Sequence, residues 1–148
     1  MNTTKLSIFL TAAFFLLCPG APVQAEIKYF THIQADVPAG WSTSEHDESV
    51  VIAADDKSAV ITITVQSAQG DDAEKIAGII SKSVNGTMPV EDVDNNGYFF
   101  NFTAKQAGPG RGFVKVDQGR AIVVGIMGDN PQVMGIINSL SGQVENLF

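Results

Sequence analysis

Cysteine occurs once in the 148 residues, histidine twice and tryptophan once. A lone cysteine excludes an internal disulfide framework and any zinc site built on several thiolates. Two histidines leave little material for a nucleophilic triad, and neither a G-x-S-x-G elbow nor an S-x-x-K signature with its partners is present. Basic charge is also scarce. Nine Lys and Arg stand against 16 Asp and Glu, a formal net charge of −7, which argues against a nucleic-acid backbone as partner. The most apolar stretch, Leu6 to Leu17, would rise about 18 Å as a helix, short of a hydrocarbon core of about 30 Å. No repeat, charge block or Pro/Ser-rich linker divides the rest. With 45% hydrophobic and 17% charged residues, the composition suits one ordinary domain with a core, and excludes disorder, collagen and coiled coil.

The beginning of the chain reads as an address. Lys5 supplies a short positive start, the apolar run follows, and Pro19, Gly20 and Pro22 break any helix. Val23-Gln24-Ala25 then places small residues where a signal peptidase reads, with cleavage expected before Glu26. Residues 1–25 are thus expected to be a signal peptide and 26–148 a single domain, periplasmic or secreted. Cys18 ends the apolar run, but a lipoprotein signal needs a small residue before the cysteine, and Leu16 and Leu17 stand there instead. Cleavage removes the sole cysteine, so thiol catalysis and thiolate metal sites are excluded from the mature chain. It carries no transmembrane segment.

Beyond the leader, hydrophobic period assigns the elements. Ile27–Val37 predicts one strand with Tyr29, Thr31, Ile33, Ala35 and Val37 on one side. Pro38-Ala39-Gly40 turns the chain into Trp41, and Ser49–Ala54 predicts a short strand. Ala59–Ser67 is the clearest strand, with Ile61, Ile63 and Val65 alternating against Thr62, Thr64 and Gln66. After Gly70 the period changes: Asp71 and Glu74 match a helix-capping pattern, and Ile76, Ile79, Ile80 and Val84 fall at helical spacing up to Asn85-Gly86. Strands return at Val90–Val93, Tyr98–Lys105, Phe113–Asp117 and Arg120–Met127, with Asn96-Gly97 as a hairpin pair. A second helix is expected with Asn130 as N-cap, Pro131 as its first residue, and Val133, Ile136, Ile137 and Leu140 as its apolar stripe. Connections this short force antiparallel pairing. Arg120–Met127 is apolar on both faces and must be covered on both. The expected fold class is α+β, an antiparallel β-sheet with helices packed on both faces.

The order of these elements, with Val37-Pro38-Ala39-Gly40-Trp41 closing the first strand, Lys57-Ser58-Ala59 in a strand hairpin and Asn138-Ser139-Leu140 closing the last helix, resembles the PsbP-like family over most of residues 30–141. The resemblance implies an α/β/α sandwich. The family's best-known members are an extrinsic photosystem II protein and a Ran-binding nuclear-import factor, beside many exported bacterial proteins. It implies binding to other macromolecules rather than a shared catalytic constellation, and carries no functional residue over to this chain.

Four groups of residues are candidate sites. Asp92, Asp94 and Asn96, with Gly97, fit the first half of a calcium loop. The twelfth position is Thr103 rather than a bidentate Glu, and a strand follows, so a solvated hairpin turn is the stronger reading. Glu45-His46-Asp47-Glu48, with Asp55-Asp56, gathers acids around a histidine and would suit a divalent metal or a carboxylate-assisted base; a charged loop is the plainer reading. Gly108-Pro109-Gly110-Arg111-Gly112 lacks the helix that a phosphate cradle needs after it, so turn chemistry explains the glycines, while Arg111 remains a cation for an anionic partner. Tyr98, Phe100 and Phe102 share one strand face and read as core. Phe99 and Phe113 read as partly exposed aromatics of the kind that mark interfaces. Binding is therefore expected at Phe99, Arg111 and Phe113, with no catalytic residue and no cofactor.

These readings converge on an exported, non-enzymatic domain that engages an envelope protein or ligand. The alternatives are a small-ligand carrier, which requires a deep apolar cavity between sheet and helix, and a metal-dependent hydrolase using the acidic region around His46.

Overall fold

The computed structural model describes residues 24–105 and 107–142. Residues 1–23, with most of the expected leader and Cys18, lie outside the described residues. Along the chain run β1 (Glu26–Tyr29), β2 (Ile33–Val37), β3 (Trp41–His46), β4 (Ser49–Ala54), β5 (Ala59–Ser67), α1 (Ala73–Ser83), β6 (Val90–Asp92), β7 (Gly97–Ala104), β8 (Gly108–Asp117), β9 (Arg120–Gly128), α2 (Val133–Ser139) and β10 (Ser141–Gly142). Seven strands form one sheet in the order β3-β4-β5-β9-β8-β7-β6, and β1-β2-β10 form a small second sheet. Every pairing in both sheets is antiparallel. The molecule is thus α+β: mostly antiparallel sheet with two helices.

At the centre lie the two strands with the most β-branched residues. β5 and β9 pair over their whole length, from Ala59 opposite Gly128 to Ser67 opposite Arg120. Successive side chains of a strand point to opposite faces, and those of β9 enter two different cores. Ile122 and Val124 pack with Ile33, Ala35 and Val37 of β2 and with Val133, Ile136 and Ile137 of α2. Ala121 and the partly buried Val123 pack with Ile76 and Ala77 of α1. Trp41 fastens the start of β3 to α2 by donating its indole N–H to Gln132 Oε1 at 2.8 Å.

Glycine and aromatic residues alternate across β7 and β8. Phe100 faces Gly112 and Phe102 faces Gly110, and in each pair the phenyl ring fills the place a glycine Cβ would take. The two rings are 6.2 Å apart and tilted. Tyr98, Phe100 and Phe102 share the α1 core, Phe100 fully buried. The expected turn reading of Gly108–Gly112 is corrected: only Gly108 has the left-handed conformation, at φ +78°, and β8 begins there rather than at Phe113. Arg111 therefore sits within a strand, paired to Asn101 on one side and Ile126 on the other.

The expected strand Ile27–Val37 is two strands. Phe30 N–H bonds Ile33 O at 2.8 Å, closing a turn that folds β1 back along β2. Ile33, Ala35 and Val37 are buried as the alternation predicts, whereas Tyr29 is 76% exposed. β3 pairs along the edge of β4, where the sequence suggested a loop after Trp41. α1 begins one residue later than expected: Asp72 is its N-cap, accepting Lys75 N–H at 2.8 Å. Asp71 instead pairs with the Lys75 ammonium at 2.6 Å and keeps it protonated above its ordinary range. α2 starts at Val133, past the expected Asn130 cap. The Asn130 side chain turns the chain ahead of the helix, accepting Gln132 N–H at 2.9 Å.

Candidate functional site

The acidic region around His46 does not come together. His46 pairs with Ser49 at one end of β4, and Trp41 with Ala54 at the other. Asp55 and Asp56 follow Ala54, itself about 17 Å along the strand from the position opposite His46, so they lie beyond the far end of the strand. Glu45 and His46 point to opposite faces of β3. Glu45 turns toward the β1–β2 connection, where its Oε1 accepts Thr31 N–H at 2.8 Å. Hydrogen bonds from Thr31, hydroxyl first and backbone N–H second, hold the Glu45 carboxyl below its ordinary range. Asp56 is lowered in the same way by hydrogen bonds from Ser58, which closes a local turn. His32 follows Thr31, so it lies near Glu45, whose carboxyl its charge also helps to lower, and Arg120 Nη2 donates to its Nδ1 at 3.4 Å. Among the described residues, no group of three or more His, Cys, Asp or Glu is placed to hold a metal ion.

Val93 to Asn96 form the connection between β6, which Asp92 closes, and β7. The register places Asp92 opposite Gly97, so the loop contains four residues rather than the expected two-residue Asn96-Gly97 hairpin. Asp92 is occupied within it: Oδ1 accepts Asn95 N–H at 3.3 Å and Oδ2 accepts the Asn95 amide at 2.9 Å. Asn96 takes the left-handed conformation, at φ 50°. Gly97 is buried at the head of β7 because the Phe113 ring lies over it. The carboxylate that would begin a calcium loop is thus spent on its own turn.

Phe99, Arg111 and Phe113 do share one sheet face. Phe99 and Phe113 are direct cross-strand partners, and Arg111 lies two residues before Phe113 on β8. Their exposures differ. Phe113 is only 9% exposed and belongs to the α2-side core, and Phe99 packs partly buried against it. The expectation of a surface aromatic at Phe113 is therefore corrected: its ring has Gly97 to cover, and burial rewards it more than solvent does. Arg111 alone of the three is exposed. It lines an open hollow of about 350 Å³ between β8 and α2, together with Asn101, Ile126, Asp129, Asn130 and Met134. Among the described residues no ion pair engages Arg111 or Asp129. Met134 stands on the rim, 57% exposed.

Sequence reasoning missed Asn101, Asp129 and Met134. Asn101 had a findable signal, since it faces Arg111 once the β7–β8 register is known. Asp129 and Met134 reach the hollow through the bend at Gly128, at φ +83°, and no local sequence pattern announces where a bend points its neighbours. Of the described helices, none is long and apolar enough to cross a membrane.

No protein-family model matches this chain, and no curated protein matches it. Among solved structures it is similar to the Saccharomyces cerevisiae Ran-binding protein Mog1p, with TM-score 0.50 and 12% identity over 80% of this chain and 96% of that one. It is also similar to cyanobacterial PsbP from Synechocystis sp. PCC 6803, at TM-score 0.48 and 7% identity over 84% and 95% of the two chains. A third likeness is a Bacteroides thetaiotaomicron VPI-5482 protein, at TM-score 0.46 and 14% identity. It covers 76% of this chain, which spans 46% of that protein's length. The likeness to Mog1p shows the fold: this chain has the PsbP-like fold that its element order resembles.

Proposed function

We propose that this chain is an exported, non-enzymatic binding domain that engages an envelope protein or ligand through the sheet face around Arg111. Export rests on the leader-like pattern of residues 1–25, and periplasmic or secreted placement follows from it. In this reading the architecture is an α/β/α sandwich with an uneven cover. α1 lies over the β7–β8 end of one face, while α2 and β2 lie over the β5–β9 region of the other. On the α2 side of the β7–β8 end, Phe113 is buried with Phe99 packed against it, while Arg111, two residues before Phe113, stands exposed.

The observation that carries the proposal is Arg111 itself. Its backbone is fixed by pairing on both sides, its side chain is exposed, and no carboxylate among the described residues neutralises it. A rigidly mounted, unpaired guanidinium beside a hollow is suited to a partner with an anionic group. The two alternatives find less support. Among the described residues, the two hollows of about 350 and 430 Å³ open to solvent rather than forming a deep apolar cavity, and His46 is not grouped with two carboxylates.

Affinity capture with the mature chain from its native envelope tests the reading. The wild-type protein is expected to retain a reproducible partner that Arg111→Glu loses while keeping the wild-type unfolding midpoint. Retention of the same partner by the variant, or a repeatedly blank wild-type capture, rejects it.

A further inference from the structure

We infer that β6 is an open docking edge for an extended segment of a partner protein, one whose residues alternate between basic and apolar side chains. This surface lies apart from Arg111, and the inference goes beyond the reading of that residue. Among the described residues β6 pairs with β7 alone and ends the seven-stranded sheet. Every second residue of such an edge turns its N–H and C=O away from the sheet, where another strand can pair with them. The edge is also apolar for its length. Of the seven large apolar residues exposed among those described, Met88, Val90 and Val93 fall within six positions on and around β6.

Register sets what the added strand must carry. Residues directly opposite each other in a sheet share one face. Val90 lies opposite Phe99, which packs on the α2-side core, and Glu91 lies opposite Tyr98, which packs on the α1-side core. The edge therefore shows a valine on one face and a glutamate on the other, both exposed. Glu91 has company on its face. With Asp72 and Glu74 from the start of α1 it lines a hollow of about 370 Å³ that Tyr98 also lines. Partial burial, and then the charges of Glu74, Glu91 and Asp72, push the Tyr98 hydroxyl above its ordinary range. Among the described residues no ion pair engages any of these three carboxylates. A strand added at the usual spacing of about 4.8 Å sets one side chain beside Val90 and the next beside Glu91. Its period of two then makes the first apolar and the second basic. A second copy of the chain suits this edge poorly. Antiparallel pairing centred on Glu91 would set that carboxylate against its own copy and Val90 against Asp92.

Nuclear magnetic resonance titration of the mature chain with a capped hexapeptide alternating lysine and valine tests the inference. Saturable amide shifts are expected at Val90, Glu91 and Asp92 and at the facing Gly97, Tyr98 and Phe99. A peptide with the same three lysines and three valines in separate blocks is expected to bind at least about tenfold more weakly. A peptide alternating glutamate and valine is expected to show the same loss. Glu91→Lys and Val90→Ser change exposed side chains, so each is expected to keep the wild-type unfolding midpoint while losing affinity for the lysine–valine peptide. Equal affinity for the block peptide, undiminished affinity in folded Glu91→Lys, or no saturable shift at β6 up to about 10 mM overturns the inference. Shifts at Val90, Glu91 and Asp92 that grow with protein concentration in the absence of peptide also overturn it, since they would make a second copy the occupant.

Discussion

A methyl group added at Gly112 would stand where the Phe100 ring now lies, and one at Gly110 would stand in the Phe102 ring. Both rings belong to the α1 core and cannot swing into solvent without exposing it. Overpacking of this kind costs about 1–3 kcal/mol, so Gly112→Ala is expected to lower stability by that much in urea unfolding. Pairing it with Phe100→Leu relieves the clash, and the double variant is expected to be more stable than the two single losses added together. Strict additivity would mean that ring and glycine are not complementary. The same pairs explain what is legible at this scale. Phe100 and Phe102 read as core because their alternation is local, whereas the glycines read as turn because the rings that need them lie on another strand. Arg111 stands out as a lone cation in a glycine run. Asp129 does not, since its place in the hollow depends on a backbone bend and on Ser58, far away in sequence.

Among the elements, the β1–β2 hairpin shows where period alone misleads. Its alternation of side chains passes unbroken through Tyr29, Thr31 and Ile33, so the sequence reads as one strand. The turn is imposed from outside, by the Phe30–Ile33 hydrogen bond and by Glu45 of β3 receiving Thr31 N–H. β3 itself carries Trp41 followed by Ser, Thr, Ser, Glu and His, with no apolar alternation to declare it; β4 recruits it through backbone pairing. β5 and β9, by contrast, are fully legible, because β-branched residues recur at period 2 through their length. The Glu45 latch has a pH signature. Its folded carboxyl lies below the ordinary 4.5 because Thr31 donates to the charged form. Its contribution is thus complete above the unfolded value and is lost as pH falls through the folded one. Compared by urea midpoint, wild type is expected to exceed Glu45→Gln at neutral pH, with the gap closing below about pH 4.5. A gap that widens in acid would contradict the latch.

For the molecule as a whole, the decisive feature is that one sheet serves two cores. β9 sends Ile122 and Val124 to the core that holds Ile136 of α2, and Ala121 and Val123 to the core that holds Ile76 of α1. Sequence alone shows that β9 needs cover on both faces, but the place of each helix over the sheet depends on strand order, which no single segment encodes. This arrangement makes the cores chemically separate and mechanically joined. Ile136→Val and Ile76→Val are each expected to cost about 0.5–1.5 kcal/mol. The two sites share no packed cluster, so the double variant is expected to lose the sum to within about 0.5 kcal/mol. Unfolding is nevertheless expected to stay a single transition by circular dichroism and tryptophan fluorescence, because loosening either core exposes one face of the same central strands. A coupling beyond about 1 kcal/mol would mean that the helices share one core. Two separate transitions would mean instead that the sheet does not bind the halves together, and exposed Arg111 would then lack the fixed strand on which its proposed recognition depends.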